Sequence, residues 1–498
     1  MAGEKPLRKY YANLLIACVL LLFSGTGWAH GFGQVYSLPV PVWLYLYGAT
    51  AALLLSFIII AGMVSATSAS ANFVKINLSQ NRFIRCLTSS TSLNITQLFS
   101  VGVLILAIVA GLVGVSNPYV NINMTLFWIL FTLGGYYCCA LLGNLNHAIN
   151  PWQAITDWLS KLFPAFIKGR YTYPKQLAYW PSLLLYFGFI CLELYGRTSP
   201  FSLSVVLLSY TIFTCLGVLV FGQRAWFKYV EFFSIMFRLL ASMGTFASSR
   251  KAAAQVNVDI YLRHPMIGVM EEHSKSWSLL FFILFMLSST AFDGIQFTTP
   301  FVSLYWVQIA DVIKPWLGGD IVSAFPSLKI IYSVWKVSIL ALSPLFYFAV
   351  YILAIYMIRL LVKNPPPVKE MAIRFSFSLL PIVLVYHAAH YFTLLFSQGL
   401  QVFALISDPF GWGWNLFGSK DLKIGTIIQA GTVWHTQVGL IIIGHIAAVY
   451  IAHLEALKMF MSSRSAALSQ IPMLSLMMIL TAAGLWILSL PISNSGAG

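Results

Sequence analysis

Residues 277–294 read Trp-Ser-Leu-Leu-Phe-Phe-Ile-Leu-Phe-Met-Leu-Ser-Ser-Thr-Ala-Phe-Asp-Gly. Not one charge interrupts the run before Asp293, and its length is about what an α-helix needs to cross the roughly 30 Å hydrocarbon core of a bilayer. Similar runs recur from end to end. The whole chain of 498 residues is 59% hydrophobic and only 9% charged, with a mean hydropathy of +0.82, whereas a soluble domain carries about 25% charged residues. A water-soluble globular fold is excluded. An outer-membrane barrel is excluded too, because its strands would appear as alternating segments of roughly 10 residues, and these runs are continuous. The fold class is all-α, a polytopic helical membrane protein.

Residues 1–29 carry a basic head (Lys5, Arg8, Lys9), an apolar core from Leu14 to Phe23, and small residues at Gly27 and Ala29. This is the layout of a secretory signal peptide cleaved after Ala29, which would make His30 the first residue of a single transmembrane domain over 30–498. Ten spans follow, at 42–64, 97–115, 124–145, 177–195, 203–221, 276–296, 331–360, 373–396, 432–454 and 473–490. Starting outside, the count puts loops 65–95, 146–176, 222–275, 361–372 and 455–472 in the cytoplasm and both mature termini in the periplasm. With their helix ends these loops hold three, four, seven, four and two Lys or Arg, twenty in all, against six on the other side: Arg197, Lys314, Lys329, Lys336, Lys420 and Lys423. Positive charge collects on the cytoplasmic side of membrane proteins, so topology accounts for the formal net charge of +15 and no nucleic-acid partner is needed.

Within 222–275, Phe232, Phe233, Ile235, Met236, Leu239 and Leu240 are interrupted by Glu231 and Arg238. The spacing predicts an amphipathic helix on the inner leaflet. Asn364-Pro-Pro-Pro367 is a stiff connector between two spans. The six cysteines (Cys18, Cys86, Cys138, Cys139, Cys191, Cys215) lack ligand spacing and read as small hydrophobes.

No P-loop, HExxH, GxSxG or dinucleotide-binding glycine motif occurs, so the residues that could carry chemistry are polar groups at membrane depth, where each is costly. Asp293 follows Ser288, Ser289 and Thr290 and precedes Gly294, where a helix can loosen and expose carbonyls to an ion; termination of the helix by Asp-Gly is the plainer alternative. Glu193 has Arg197 one turn later, the spacing of a local ion pair. Four histidines lie in two consecutive spans: His387 and His390 in the eighth, His435 and His445 in the ninth. His387 and His445 fall near the midplane of antiparallel neighbours, and His390 shares the His387 face one turn further out. Such imidazoles suit haem or copper ligation or proton relay, or they hydrogen-bond neighbouring helices. His453 closes the series at the cytoplasmic end. A free His30 amine and imidazole would chelate copper. The loop 398–431 contains Ser407-Asp-Pro-Phe-Gly-Trp-Gly-Trp414, whose aromatics can lie at headgroup level or fold as a lid over the histidines.

The run Ala29-His-Gly-Phe-Gly33, the segment Leu38-Pro-Val-Pro-Val-Trp-Leu-Tyr45, Asn150-Pro-Trp152, Phe292-Asp-Gly294 and the Ser407–Trp414 loop together resemble an uncharacterised family of bacterial multi-pass membrane proteins. The resemblance spans most of the chain. It implies a bacterial inner-membrane protein with a periplasmic N-terminus, and it implies no particular activity. Three functions compete: a transporter or permease component for an ion or small solute, with Asp293, Glu193 and His387, His390 and His445 along its path; a redox subunit holding haem or copper between spans eight and nine; and an anchor or assembly partner of a periplasmic or membrane enzyme.

Overall fold

The computed structural model describes residues 41–64, 75–196, 198–249, 259–271, 276–318, 321–422, 429–460 and 462–489. The expected signal segment, His30, Arg197 and the C-terminal residues from 490 onward lie outside them.

Among the described residues, nine helices are long and apolar enough to cross a membrane. They are α1 (Val42–Met63), α2 (Ser90–Val113), α3 (Ile122–Leu142), α5 (Pro200–Phe221), α7 (Trp277–Ile295), α8 (Ile321–Leu361), α9 (Val368–Leu405), α10 (Ala430–Met459) and α11 (Ser463–Ser489). The expected fourth span is α4 (Trp180–Tyr195), apolar but 16 residues long, about 24 Å at 1.5 Å per residue. The chain is a multi-pass helical membrane protein. Its helices occupy the positions read from hydropathy, and the largest departure is α8. At 41 residues it runs to about 62 Å, roughly twice the bilayer core. Its extra N-terminal turns form a satellite core, in which Ala324 and Leu328 pack on Tyr305 and Ala310.

Loop pairings follow the expected alternation of sides. Strands β1 (Ile76–Asn77), β2 (Phe246–Ser249) and β3 (Asp259–Leu262) form one antiparallel sheet in the order β1-β3-β2, which joins loop 65–95 to loop 222–275. Arg374, in the first turns of α9, reaches Glu455, near the end of α10, at 2.9 Å, joining the helix ends beside two other loops of the same group. At the opposite end, Val115 N donates to Phe410 O at 2.9 Å and Ile122 N to Pro409 O at 3.2 Å. The Ser407–Trp414 loop is thus fastened to the turn between α2 and α3, with Trp412 and Trp414 about half exposed. Asp408 takes the Trp412 and Gly413 N–H groups at 2.9 and 2.8 Å. Gly411 has φ +73°, and a Cβ there would meet Val115.

Helix α7 is central, with side chains from Leu279 to Ser289 buried almost without a break. The segment expected on the inner leaflet is α6 (Phe232–Ala241), and here the structure corrects the reading. Nine of its ten side chains are buried, because its apolar face meets protein rather than acyl chains. Phe232 packs on Tyr186 and Phe189, and Phe233 on Phe131 and Trp152. The C-terminal carbonyls of α6, which lack helical partners, are held by Arg263. Its guanidinium donates to Ala241 O at 2.8 Å, Ser242 O at 3.1 Å and Gly244 O at 3.0 Å. Lysine offers a point charge in place of that planar fork, so Arg263→Lys should lower stability by about 2 kcal/mol as carbonyls lose their donors. Thermal unfolding in detergent reads this directly, and an unchanged midpoint would refute the capping role.

Candidate functional site

Helix α7 ends at Ile295, so Asp293 stands in its last turn, where the run of serines and threonine already gives the wall a polar lining. The carboxylate is buried and receives three donors. His390 Nε2 lies 2.7 Å from Oδ2, the Tyr391 hydroxyl donates to the same oxygen at 2.7 Å, and Gln296 Nε2 donates to Oδ1 at 3.0 Å. Both α9 residues come from adjacent positions and approach from one side, while Gln296 reaches back three residues along its own helix. Glu193, near the end of α4, interacts electrostatically with Asp293 and His390 and stands beside the Tyr391 hydroxyl. A phenol has one proton to donate, so two carboxylates sharing it cannot both be satisfied as anions by that group alone.

His387 lies one turn deeper on α9. Its ring stacks on Tyr136 with centroids 4.0 Å apart and contacts Tyr391 at 4.8 Å, and Tyr137 Oη is 3.4 Å from its Nδ1. The backbone here is irregular: π-helical turns at Thr125–Gly134 in α3 and Leu395–Gly399 in α9 lie against each other, where a Cβ on Gly399 would sit 3.1 Å from Ile129. Such wide turns gather at functional sites. Lys336 on α8 places its ammonium 5.0 Å from the Tyr195 ring and 4.8 Å from the Tyr332 ring, a cation–π arrangement. Tyr195 in turn interacts with Asp293. Three buried polar atoms at this site, Tyr136 Oη, Tyr195 Oη and Gln296 Oε1, have no hydrogen-bond partner within the protein.

The structure therefore unites Asp293, Glu193 and His390, with His387 one ring away, and separates the other histidines. His445 is buried on α10, its Nδ1 2.8 Å from the carbonyl oxygen of Ile441 and its ring beside Tyr386. His435 is exposed near Tyr45. His453 joins Val64 O and Gln470. Among the described residues no three His, Cys, Asp or Glu side chains are grouped to hold a metal ion, so the expected shared site of His387, His390 and His445 is not formed; His387 turns toward α3 and His445 toward Tyr386. With its Nδ1 engaged by its own helix, His445 should be dispensable. His445→Leu, close in volume, should change any activity less than twofold, whereas His390→Leu should remove it. Equal losses in both variants would restore the three-histidine site.

Tyr391, Gln296 and Lys336 were not singled out by sequence reasoning. Tyr391 had one available signal, its place next to His390 on a polar helix face. No protein-family model, no curated protein and no solved structure matches the chain, so function rests on these residues alone.

Proposed function

We propose that the protein is a membrane transporter that carries the proton itself, taken up at Asp293. One observation carries this reading: a buried carboxylate in a spanning helix bonded to an imidazole at 2.7 Å and a phenol at 2.7 Å. Intramembrane Asp and His chains of this kind suit proton relays, because imidazole changes charge near neutral pH. With His390 donating from Nε2, Asp293 is an anion held by three donors. A proton arriving at His390 Nδ1 lets the Nε2 proton pass to Asp293 Oδ2, after which Nε2 accepts from the new carboxyl O–H and the imidazole is neutral again with its proton on Nδ1. The basic-residue asymmetry supports an orientation with this site nearer the outer face, which is the periplasm if the membrane is the bacterial inner membrane that the family resemblance implies.

Potential-driven proton uptake into vesicles of phosphatidylethanolamine and phosphatidylglycerol containing the purified protein and a pH-sensitive dye tests the reading. Protein-dependent uptake is expected; vesicles with protein behaving as empty ones would end it.

A further inference from the structure

The Asp293 site lies at one end of the bundle, and a proton that crosses needs a station at the other. At that other end lies a second buried carboxylate, Glu231, at the start of α6. It is 0% exposed and receives four donors: the Tyr210 hydroxyl at 2.6 Å, Asn150 Nδ2 at 3.0 Å, and the backbone N–H groups of Phe233 at 3.2 Å and Ser234 at 2.7 Å. Capping a helix requires only the last two. From the side-chain donors a row of polar groups extends outward, interrupted only between Gln153 and Thr156, where the Thr156 hydroxyl donates to the Gln153 backbone carbonyl at 2.9 Å. Asn150 Nδ2 donates to Asn146 Oδ1 at 3.3 Å, and Asn146 Nδ2 to Gln153 Oε1 at 3.0 Å. Thr156, one turn on, accepts from Gln223, which also donates to Asp157 Oδ1 at 2.6 Å. Asp157 lies 3.6 Å from His147, whose side chain is 38% exposed. The chain thus ends in an imidazole and carboxylate that reach the surface.

Inward, Tyr210 and Glu231 stop at an apolar layer. The Phe232 ring contacts both Tyr210, at 5.9 Å, and Tyr186, at 5.8 Å. Tyr186 stands beside Ser289, four residues before Asp293 and hence on its face of α7, and Tyr186 is itself seven residues before Glu193 on α4.

We infer that Glu231 is a second proton station, loaded by water that enters beside His147 and Asp157 and follows this polar lining, and that Phe232 is the apolar barrier between it and the Asp293 site. In the transfer, the proton binds Glu231 Oε1, and the Tyr210 hydroxyl changes from donating to that oxygen to accepting from it. No other bond is made or broken. The groups facing Glu231 are Tyr210 from α5, Asn150 from the 146–162 segment and Ser234 from α6, none of which carries a charge.

This inference rests on the proton reading above, and the same vesicle assay, normalised to folded protein, separates the two. Glu231→Gln should slow uptake at least tenfold, and Phe232→Ala should raise it at least threefold. If Glu231→Gln does not give a monodisperse protein, Tyr210→Phe decides instead, with a fivefold loss expected. A wild-type rate in the deciding variant, or no gain in Phe232→Ala, overturns the inference while an inactive Asp293→Asn leaves the proton reading standing. An active Asp293→Asn sinks that reading itself.

Discussion

Asp293→Asn should abolish proton uptake, by a hundredfold or more, while leaving the protein folded and as stable as wild type. The two halves of that expectation have separate physical grounds. An amide cannot bind and release a proton near neutral pH, so the relay loses its acceptor whatever the geometry. The fold survives because each hydrogen bond can be remade. Asn offers its oxygen to His390 and Tyr391 as Oδ2 did. Its amide nitrogen then faces Gln296, whose Oε1 has no partner within the protein and whose amide can turn over to accept. Asp293→Ala is the poorer variant, since it would leave the Gln296, His390 and Tyr391 donors without an acceptor at a cost of about 1–3 kcal/mol each. Uptake measured beside a thermal melt in detergent decides the matter. An inactive but destabilised Asn variant would assign Asp293 a structural role, and an active one would remove it from the path.

How much of this was legible in the sequence follows from what each kind of pattern encodes. Hydropathy is a local quantity, so the positions of the spans, the short α4 included, follow from composition alone. The alternation of basic loops is equally local, and the pairings of β1 with β3 and of Phe410 with Val115 join just those loops that it assigns to common sides. Asp293, Glu193 and His390 stood out because charge at membrane depth is rare. Their meeting was not legible: Asp293 and His390 are 97 residues apart, and the His387–His390 spacing fits equally well a helix facing α10 or α3. Glu231 was masked for a different reason. Amphipathicity states that α6 has an apolar face, yet lipid tails and the phenylalanines of a bundle are equally apolar. The pattern therefore cannot distinguish a helix lying on the membrane from one packed within the protein, and Glu231 passed for a surface charge. The length of α8 was hidden because its extra turns, residues 321–330, contain Pro326 and Lys329, which read as the break before a span.

The same limit applies to the contact expected to matter most for folding, which is made by a residue with no side chain. Between lipid-embedded helices there is little hydrophobic drive to associate, so close packing through small residues does the work. Helix α2 presents Ala107 and Gly111 one turn apart to α5. A Cβ at Gly111 would lie 2.1 Å from Ser204 Oγ, 2.2 Å from Pro200 O and 2.3 Å from Asn123 Nδ2. None of these can retreat freely. Pro200 O is backbone, and Asn123 Nδ2 donates to it at 2.8 Å, while Ser204 Oγ donates to Ala107 O at 3.2 Å. Gly111→Ala must therefore push α2 and α5 apart and break these buried bonds. Overpacking of about 1–3 kcal/mol is joined by lost interhelical hydrogen bonds averaging about 0.6 kcal/mol each. Gly111→Ala should be markedly destabilised, and Gly111→Val should not accumulate as folded protein. Gly102, on the same helix with nothing within 4 Å of an added Cβ, is the control: Gly102→Ala should match or exceed wild-type stability, since alanine favours a helix over glycine by about 1 kcal/mol. Fluorescence-detected size exclusion of all three variants reads the outcome, and a wild-type profile for Gly111→Val would show that α2 and α5 do not cross at this point. Because α2 also carries Gln97 and α5 carries Tyr210, both on the polar chain around Glu231, even a partly folded Gly111→Ala should lose proton uptake more steeply than it loses stability.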